Sequence, residues 1–163
     1  MPTDALTALA TVVGARLRAK EWMLTTAESC TGGWVAQAVT AIAGSSDWFE
    51  RGFVTYSDAA KREMLGVSAR TLAGHGAVSE ETAREMAIGA LAHSRAQVAL
   101  AITGIAGPGG GSPEKPRGLV CFAWAIRDGE ISAQTRHFNG GREYVRRQSV
   151  IAALQGVVEL LER

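Results

Sequence analysis

The sequence predicts an α/β chain, a three-layer α/β/α sandwich built on a mixed, mainly parallel sheet. Three patterns carry that expectation. Apolar stripes at helical spacing alternate with short apolar runs of strand length, the order expected when helices cover both faces of a sheet. The run 98–102, Val-Ala-Leu-Ala-Ile, has no polar position, the mark of a strand covered on both sides. Finally, two β-rich segments flank Asp128-Gly129, a strong hairpin signal that adds an antiparallel part.

In chain order, Leu6, Leu9, Ala10, Val13 and Leu17 recur at helical spacing, with Arg16, Arg18 and Lys20 near the end where the helix dipole favours cations. Residues 22–27 read as a short buried strand, and 32–42 as a helix rich in Ala and Val. Gly44-Ser45-Ser46-Asp47 punctuates, and 49–56 reads as a second strand. A short helix covers 59–65, and Gly74-His75-Gly76 reads as a turn. Ser79 then caps a helix whose first turn holds Glu80 and Glu81 and whose stripe is Ala83, Met86, Ala87, Ala90 and Leu91. After the strand at 98–102 comes a Gly- and Pro-rich loop, 104–117, and then the hairpin strands 119–126 and 131–138. A closing helix from about Arg142 to Leu161 buries Val150, Ile151, Leu154, Val157, Val158 and Leu161. There is no internal repeat and no linker, so residues 1–163 read as one domain.

Composition excludes several classes. Hydrophobic residues are 47% and charged residues 20%, an ordinary globular mixture. Seventeen Lys and Arg against 16 Asp and Glu leave a formal charge of +1, too little for a polyanion-binding field, so no nucleic-acid partner is expected. Cys30 and Cys121 are isolated and have no His at ligand spacing, which excludes a zinc framework. The amino terminus carries an acid and no long apolar core, so it is not read as a signal peptide. No segment approaches spanning length, and a cytoplasmic protein without a membrane partner is the expectation. The apolar first helix and Trp48-Phe49 offer a contact for a homo-oligomer.

Three stretches fall at expected strand ends: Glu28-Ser29-Cys30, Tyr56-Ser57-Asp58 and Thr103-Gly104-Ile105-Ala106-Gly107. If their strands are parallel neighbours, they line one rim, where open α/β sheets collect ligands. Ser29 sits at a strand-to-helix turn, which can push one side chain outward beside free N–H groups. It reads either as a nucleophile with an oxyanion site or, with Thr31, as a helix cap. A serine needs a base. His93 reads as a helix-surface residue, His137 lies in the hairpin, and His75 between two glycines leaves a role open. Lys61 is better placed, with Tyr56 to relay a proton or orient the ammonium. A lysine serves as base only where burial lowers its pKa, and the alternative is a solvated helix lysine. Ala27 replaces the first glycine of the α/β-hydrolase elbow, which disfavours a Ser-His-Asp esterase. Cys30 is a rival nucleophile or a small core residue.

The loop after Thr103 lacks Gly-Lys-Ser or Gly-Lys-Thr and is followed by prolines, so it is neither a P-loop nor a dinucleotide fingerprint. What it offers is backbone that a ligand can approach closely, unless it is only a flexible surface loop. The final helix opens with Arg142, Arg146 and Arg147 where the dipole repels cations; a bound phosphate or a neighbouring acid would offset that. Arg142 and Arg146 share a face.

Together, Ala27-Glu28-Ser29-Cys30-Thr31-Gly32-Gly33, Tyr56-Ser57-Asp58-Ala59-Ala60-Lys61, Gly74-His75-Gly76-Ala77-Val78-Ser79, Thr103-Gly104-Ile105-Ala106-Gly107-Pro108-Gly109-Gly110 and Gly141-Arg142-Glu143-Tyr144-Val145-Arg146 resemble the CinA carboxy-terminal domain family in the same order. The resemblance implies a stand-alone nicotinamide mononucleotide deamidase, hydrolysing the carboxamide to nicotinate mononucleotide and ammonia in pyridine nucleotide salvage, with no metal or other cofactor. It implies Ser29 as nucleophile with Tyr56 and Lys61 as activating partners. Cys30, Thr31, Gly32 and Gly33, with backbone N–H groups from Thr31 to Gly33 at the oxyanion, match substrate-binding positions. So do Thr103, Gly104, Ala106, Gly107 and Arg142, the last placed for the phosphate. Asp58 stands where Asn is usual and Gly141 where Asp is usual. A carboxylate near Lys61 would raise its pKa. The alternatives are a non-catalytic mononucleotide-binding module and a Ser amidase acting on another small amide.

Overall fold

A computed structural model describes residues 4–163. The first three residues of the segment read above as no signal peptide lie outside the described residues. The elements are α1 (Ala5–Lys20), β1 (Leu24–Glu28), α2 (Trp34–Thr40), a 3₁₀ turn (Ser45–Asp47), β2 (Phe49–Val54), α3 (Asp58–Leu65), α4 (Ala69–His75), α5 (Glu80–Ala92), β3 (Val98–Gly104), β4 (Leu119–Ile126), β5 (Ile131–His137) and α6 (Arg142–Leu161).

The sheet order is β2-β1-β3-β4-β5. β1 runs parallel to both β2 and β3, whereas β3–β4 and β4–β5 are antiparallel. The sheet is mixed as expected, but the pairings divide evenly, because the terminal hairpin adds antiparallel to β3 as well as within itself. α1, α2 and α6 pack on one face and α3 and α5 on the other, giving three layers.

Alternation within the apolar strands explains how close each layer lies. On β3, Val98, Leu100 and Ile102 face the α1/α6 side, and Ala99 and Ala101 face α5; β4 repeats this with Val120, Phe122 and Trp124 against Cys121, Ala123 and Ala125. The small face lets α5 settle through Ala83, Met86, Ala87 and Ala90. The large face needs recesses. Trp124 stacks on Phe122 at 5.7 Å, donates its indole N–H to Ala153 O at 2.9 Å, and fills the place of a side chain at Gly156 in α6. Trp48 likewise occupies the space over Gly14 in α1. It is 1% exposed, so it belongs to the core and cannot supply the subunit contact suggested above.

Other departures have local causes. α2 starts at Trp34 rather than 32, because Gly32 and Gly33 adopt φ of 59° and 101°, outside the helical region. The turn expected at 74–76 is the end of a helix, α4, which Ser68 starts by accepting the Thr71 N–H and Gly76 ends. β3 extends to Gly104, which pairs with Val120. No described helix is long and apolar enough to cross a membrane.

Candidate active site

The three parallel strands end side by side, so the segments following β1, β2 and β3 share one rim, where a cleft of about 320 Å³ opens. The turn after β1 continues the ladder: Ser29 N–H donates to Ile102 O at 3.0 Å, and Thr55 N–H donates to Glu28 O at 2.9 Å. These bonds place Ser29 between its two neighbouring strands, 6% exposed at the cleft wall.

Lys61 comes from α3. Ser57 caps that helix by accepting the Ala60 N–H, which turns the chain back under the end of β2. Lys61 is 1% exposed. Its Nζ lies 3.0 Å from Ser29 Oγ, 3.0 Å from Thr55 O and 3.3 Å from Tyr56 O. Burial lowers its pKa, against an opposing pull from the Asp58 carboxylate. A neutral lysine has two N–H donors and one lone pair. In that neutral form the two carbonyls would take the donors and leave the lone pair for the Ser29 hydroxyl, whereas the ammonium donates to all three oxygens.

Tyr56 contributes its carbonyl to Lys61, while its exposed phenol reaches over the cleft and accepts from Arg142 Nη2 at 3.2 Å. Arg142 also donates to Gly107 O at 2.7 Å, tying the start of α6 to the glycine loop. Thr103 is buried and donates to Ala77 O at 2.8 Å. At Gly104 a Cβ would lie 2.8 Å from Val120 Cγ2 and 3.0 Å from Leu119 O, so the close crossing of β4 requires glycine. The loop beyond is braced rather than loose. Arg117 donates to Pro108 O at 2.8 Å, Ser112 N–H to Lys115 O at 2.8 Å, and the Lys115 ammonium to His75 O.

The cleft therefore gathers Ser29, Cys30, Tyr56, Lys61, Thr103, Gly104, Ala106, Gly107 and Arg142 from the residues singled out in the sequence. Thr31, Gly32 and Gly33 stand behind it. Thr31 is fully buried and donates its hydroxyl to Glu28 Oε1 at 2.7 Å, so it does not cap α2. Gly32 N–H is engaged by Ser29 O at 3.0 Å. The Cys30 thiol is pushed up to about 12 by burial, which removes it as a rival nucleophile. None of the three histidines lines the cleft: His75 pairs with Glu81, and His93 and His137 hydrogen-bond the backbone carbonyls of Gly89 and Arg117.

Two groups hold the turn after β1 in ways the sequence does not suggest. The Glu28 carboxylate, 1% exposed, accepts Val35 N–H at 2.8 Å and Ala36 N–H at 3.1 Å in addition to Thr31. An acid at the end of the strand that leads into a helix is the available signal, since carboxylates suit the positive end of the dipole. Arg146 donates to Cys30 O and Thr31 O, both at 3.1 Å. Its place among the arginines opening α6, on a face with Arg142, points to an anion, whereas its partners here are two backbone carbonyls.

The CinA C-terminal domain model matches residues 6–161. The nicotinamide-nucleotide amidohydrolase PncC of Escherichia coli strain K12 is 57% identical over 155 residues, 95% of this chain and 94% of that one. PncC of Pseudomonas putida is 51% identical over 158 residues, 96% and 98% of the two chains. The competence/damage inducible protein CihA from Agrobacterium tumefaciens superposes with a TM-score of 0.94 at 47% identity, covering 100% of this chain and 99% of its own. With its strand order, its site and nearly its whole length accounted for, the chain belongs to the CinA C-terminal domain family.

Proposed function

We propose that the protein is a nicotinamide-nucleotide amidase that hydrolyses nicotinamide mononucleotide to nicotinate mononucleotide and ammonia, serving pyridine nucleotide salvage, with residues 1–163 acting as one domain. The observation that carries the reading is the set of partners around Lys61 Nζ: two carbonyls and Ser29 Oγ, all within 3.3 Å in a buried position. The relatives named nicotinamide-nucleotide amidohydrolase supply the substrate class.

Ser29 Oγ attacks the carboxamide carbon as its proton passes to Lys61 Nζ. Cys30 N–H, the first free donor after the nucleophile, stabilises the oxyanion; Gly32, expected to contribute, is already bonded to Ser29 O. The C–N bond breaks as Lys61 returns the proton to the leaving nitrogen, and ammonia departs. Water then adds to the acyl carbon, gives its proton to Lys61, and releases the carboxylate as Ser29 recovers its hydrogen. Arg142 and the glycine loop bind phosphate and ribose, so contacts remote from the amide orient it. Tyr56 covers the cleft, joined to Arg142 by its hydroxyl and to Lys61 by its carbonyl.

The test is ammonia release from nicotinamide mononucleotide by wild type and Ser29→Ala. Wild type turns over and the variant binds without turnover. Equal ammonia release by both refutes the assignment of Ser29; binding without ammonia from wild type makes the chain a mononucleotide-binding module instead.

A further inference from the structure

The turn that carries the nucleophile is held from behind by a side chain far along the chain. Arg146, in the second turn of α6, lies 5.5 Å from the centre of the Trp34 ring and donates from Nε to Cys30 O and from Nη2 to Thr31 O. Neither Arg146 nor Trp34 lines the cleft. Resting on the amidase reading above, we infer that Arg146 is a positioning residue for the oxyanion: it sets the peptide planes of the turn so that Cys30 N–H faces the reacting carbonyl oxygen.

The transmission follows from peptide geometry. In a planar trans peptide the C=O and N–H point in opposite directions. Arg146 draws Thr31 O to its own side, so Gly32 N–H, at the other end of that plane, points away and meets Ser29 O at 3.0 Å. That bond fixes the Ser29–Cys30 plane, and Cys30 N–H projects from its opposite edge. Cys30 N–H has no acceptor in another residue among the described residues, and Cys30 lines the cleft beside Ser29. The Arg146 bond to Cys30 O sets the intervening plane, so all three planes from Ser29 to Gly32 are determined. Each bond to a carbonyl also polarises the amide that shares its plane, strengthening Cys30 N–H as a donor.

Glu28 braces the same turn from the strand side through the Thr31 hydroxyl, so Thr31 is held at both its hydroxyl and its carbonyl. Such bracing is needed because Gly32 and Gly33 adopt left-handed φ and bring no side chains of their own. The guanidinium suits the task because its planar fork reaches two successive carbonyls, whereas a lysine ammonium is a point charge on a flexible stem.

The experiment measures steady-state ammonia release and thermal melting of wild type, Arg146→Lys and Arg146→Ala. In Arg146→Lys, kcat falls about 10²-fold, near the loss of one oxyanion donor, with KM within about twofold and folding retained. Millimolar guanidinium restores part of the kcat of Arg146→Ala and none in Ser29→Ala. A wild-type kcat in Arg146→Lys, a loss confined to KM, or a kcat loss in Arg146→Ala that guanidinium leaves untouched overturns the inference. Should Arg146→Ala not fold, Arg146→Lys decides. Wild type that releases no ammonia overturns the amidase reading and this inference with it, whereas active wild type beside an unimpaired Arg146→Lys overturns this inference alone.

Discussion

Gly89, in the last turn of α5, does not line the cleft, yet replacing it with alanine should disturb both stability and catalysis. A Cβ there would lie 1.9 Å from Leu65 O, 2.7 Å from Leu65 C and 2.9 Å from Leu65 Cα, all backbone atoms of the last turn of α3. Ordinary contact begins at 3.4 Å, so α3 and α5 must part by about 1.5 Å at this point. Overpacking of this kind costs about 1–3 kcal/mol. For a chain of this size that is a fall in Tm of about 2–12 °C. Leu65 lies one helical turn beyond Lys61 on the same face, so α3 carries the displacement to Nζ. The Nζ–Oγ separation of 3.0 Å has little room to lengthen before the hydrogen bond is lost, and a misplacement of about 1 Å can cost about 10²-fold in rate. Gly156→Ala is the control. Its Cβ would meet Trp124 ring atoms at 2.1–2.5 Å on the opposite face of the sheet, so it should lower Tm by a similar amount while leaving kcat near wild type. Melting curves and ammonia release on both variants check the reasoning. It is refuted if Gly89→Ala keeps wild-type Tm and kcat, or if Gly156→Ala loses as much kcat as Gly89→Ala.

Two predictions concern the charge on Lys61. The Asp58 carboxylate raises its pKa, so Asp58→Asn should move the acidic limb of the kcat/KM profile to lower pH, because the base acts when neutral; an unmoved limb would show that Lys61 is not the group titrating. Burial holds the folded Lys61 below its ordinary 10.5, so the unfolded chain binds the extra proton between those two values. Wild-type stability therefore rises with pH across that window relative to Lys61→Met, whose loss of bonds to Thr55 O and Tyr56 O does not depend on pH. Urea unfolding of both proteins at neutral and alkaline pH measures the difference, and parallel curves would contradict a depressed Lys61.

Periodicity revealed α1, α5 and α6, whose buried residues recur along the helix, and apolar runs revealed the buried strands β1, β3 and β4, whereas β5, with no buried residue, is legible through the Asp128-Gly129 turn. Periodicity missed α4, which has no buried residue and so no apolar stripe to read. The three strand ends were legible because each polar or glycine-rich stretch follows a segment readable as a strand, and Ser29, Tyr56, Lys61, Thr103 and Arg142 do meet at one cleft. What was not legible depends on which side of a turn a group faces. Thr31 has the chemistry of a helix cap and the position of one, but Glu28 supplies the cap and takes the threonine hydroxyl as well. Arg146 looked like a second anion ligand because it shares a face with Arg142; the two diverge because the long side chains reach different strand ends, one toward Gly107 and the other toward Cys30. Helical spacing specifies a face and not a target.

The same reasoning shows why the site depends on the register of a buried sheet. Ala27 packs on the α5 side and Ser29 follows it two residues later, whereas Glu28 points to the opposite side and meets α2. The ladder from β1 into both neighbours fixes this alternation, ending with Ser29 N–H on Ile102 O and Thr55 N–H on Glu28 O. A slip of one residue would exchange the two side chains and bring a carboxylate to Lys61 in place of the hydroxyl. That carboxylate would pair with the ammonium and hold it protonated, while the start of α2 lost its anion. One displacement would thus remove the nucleophile, the neutral base and the brace of the turn together. The fully buried, five-residue β1, locked between two parallel partners, is what keeps a serine and not an acid against the lysine.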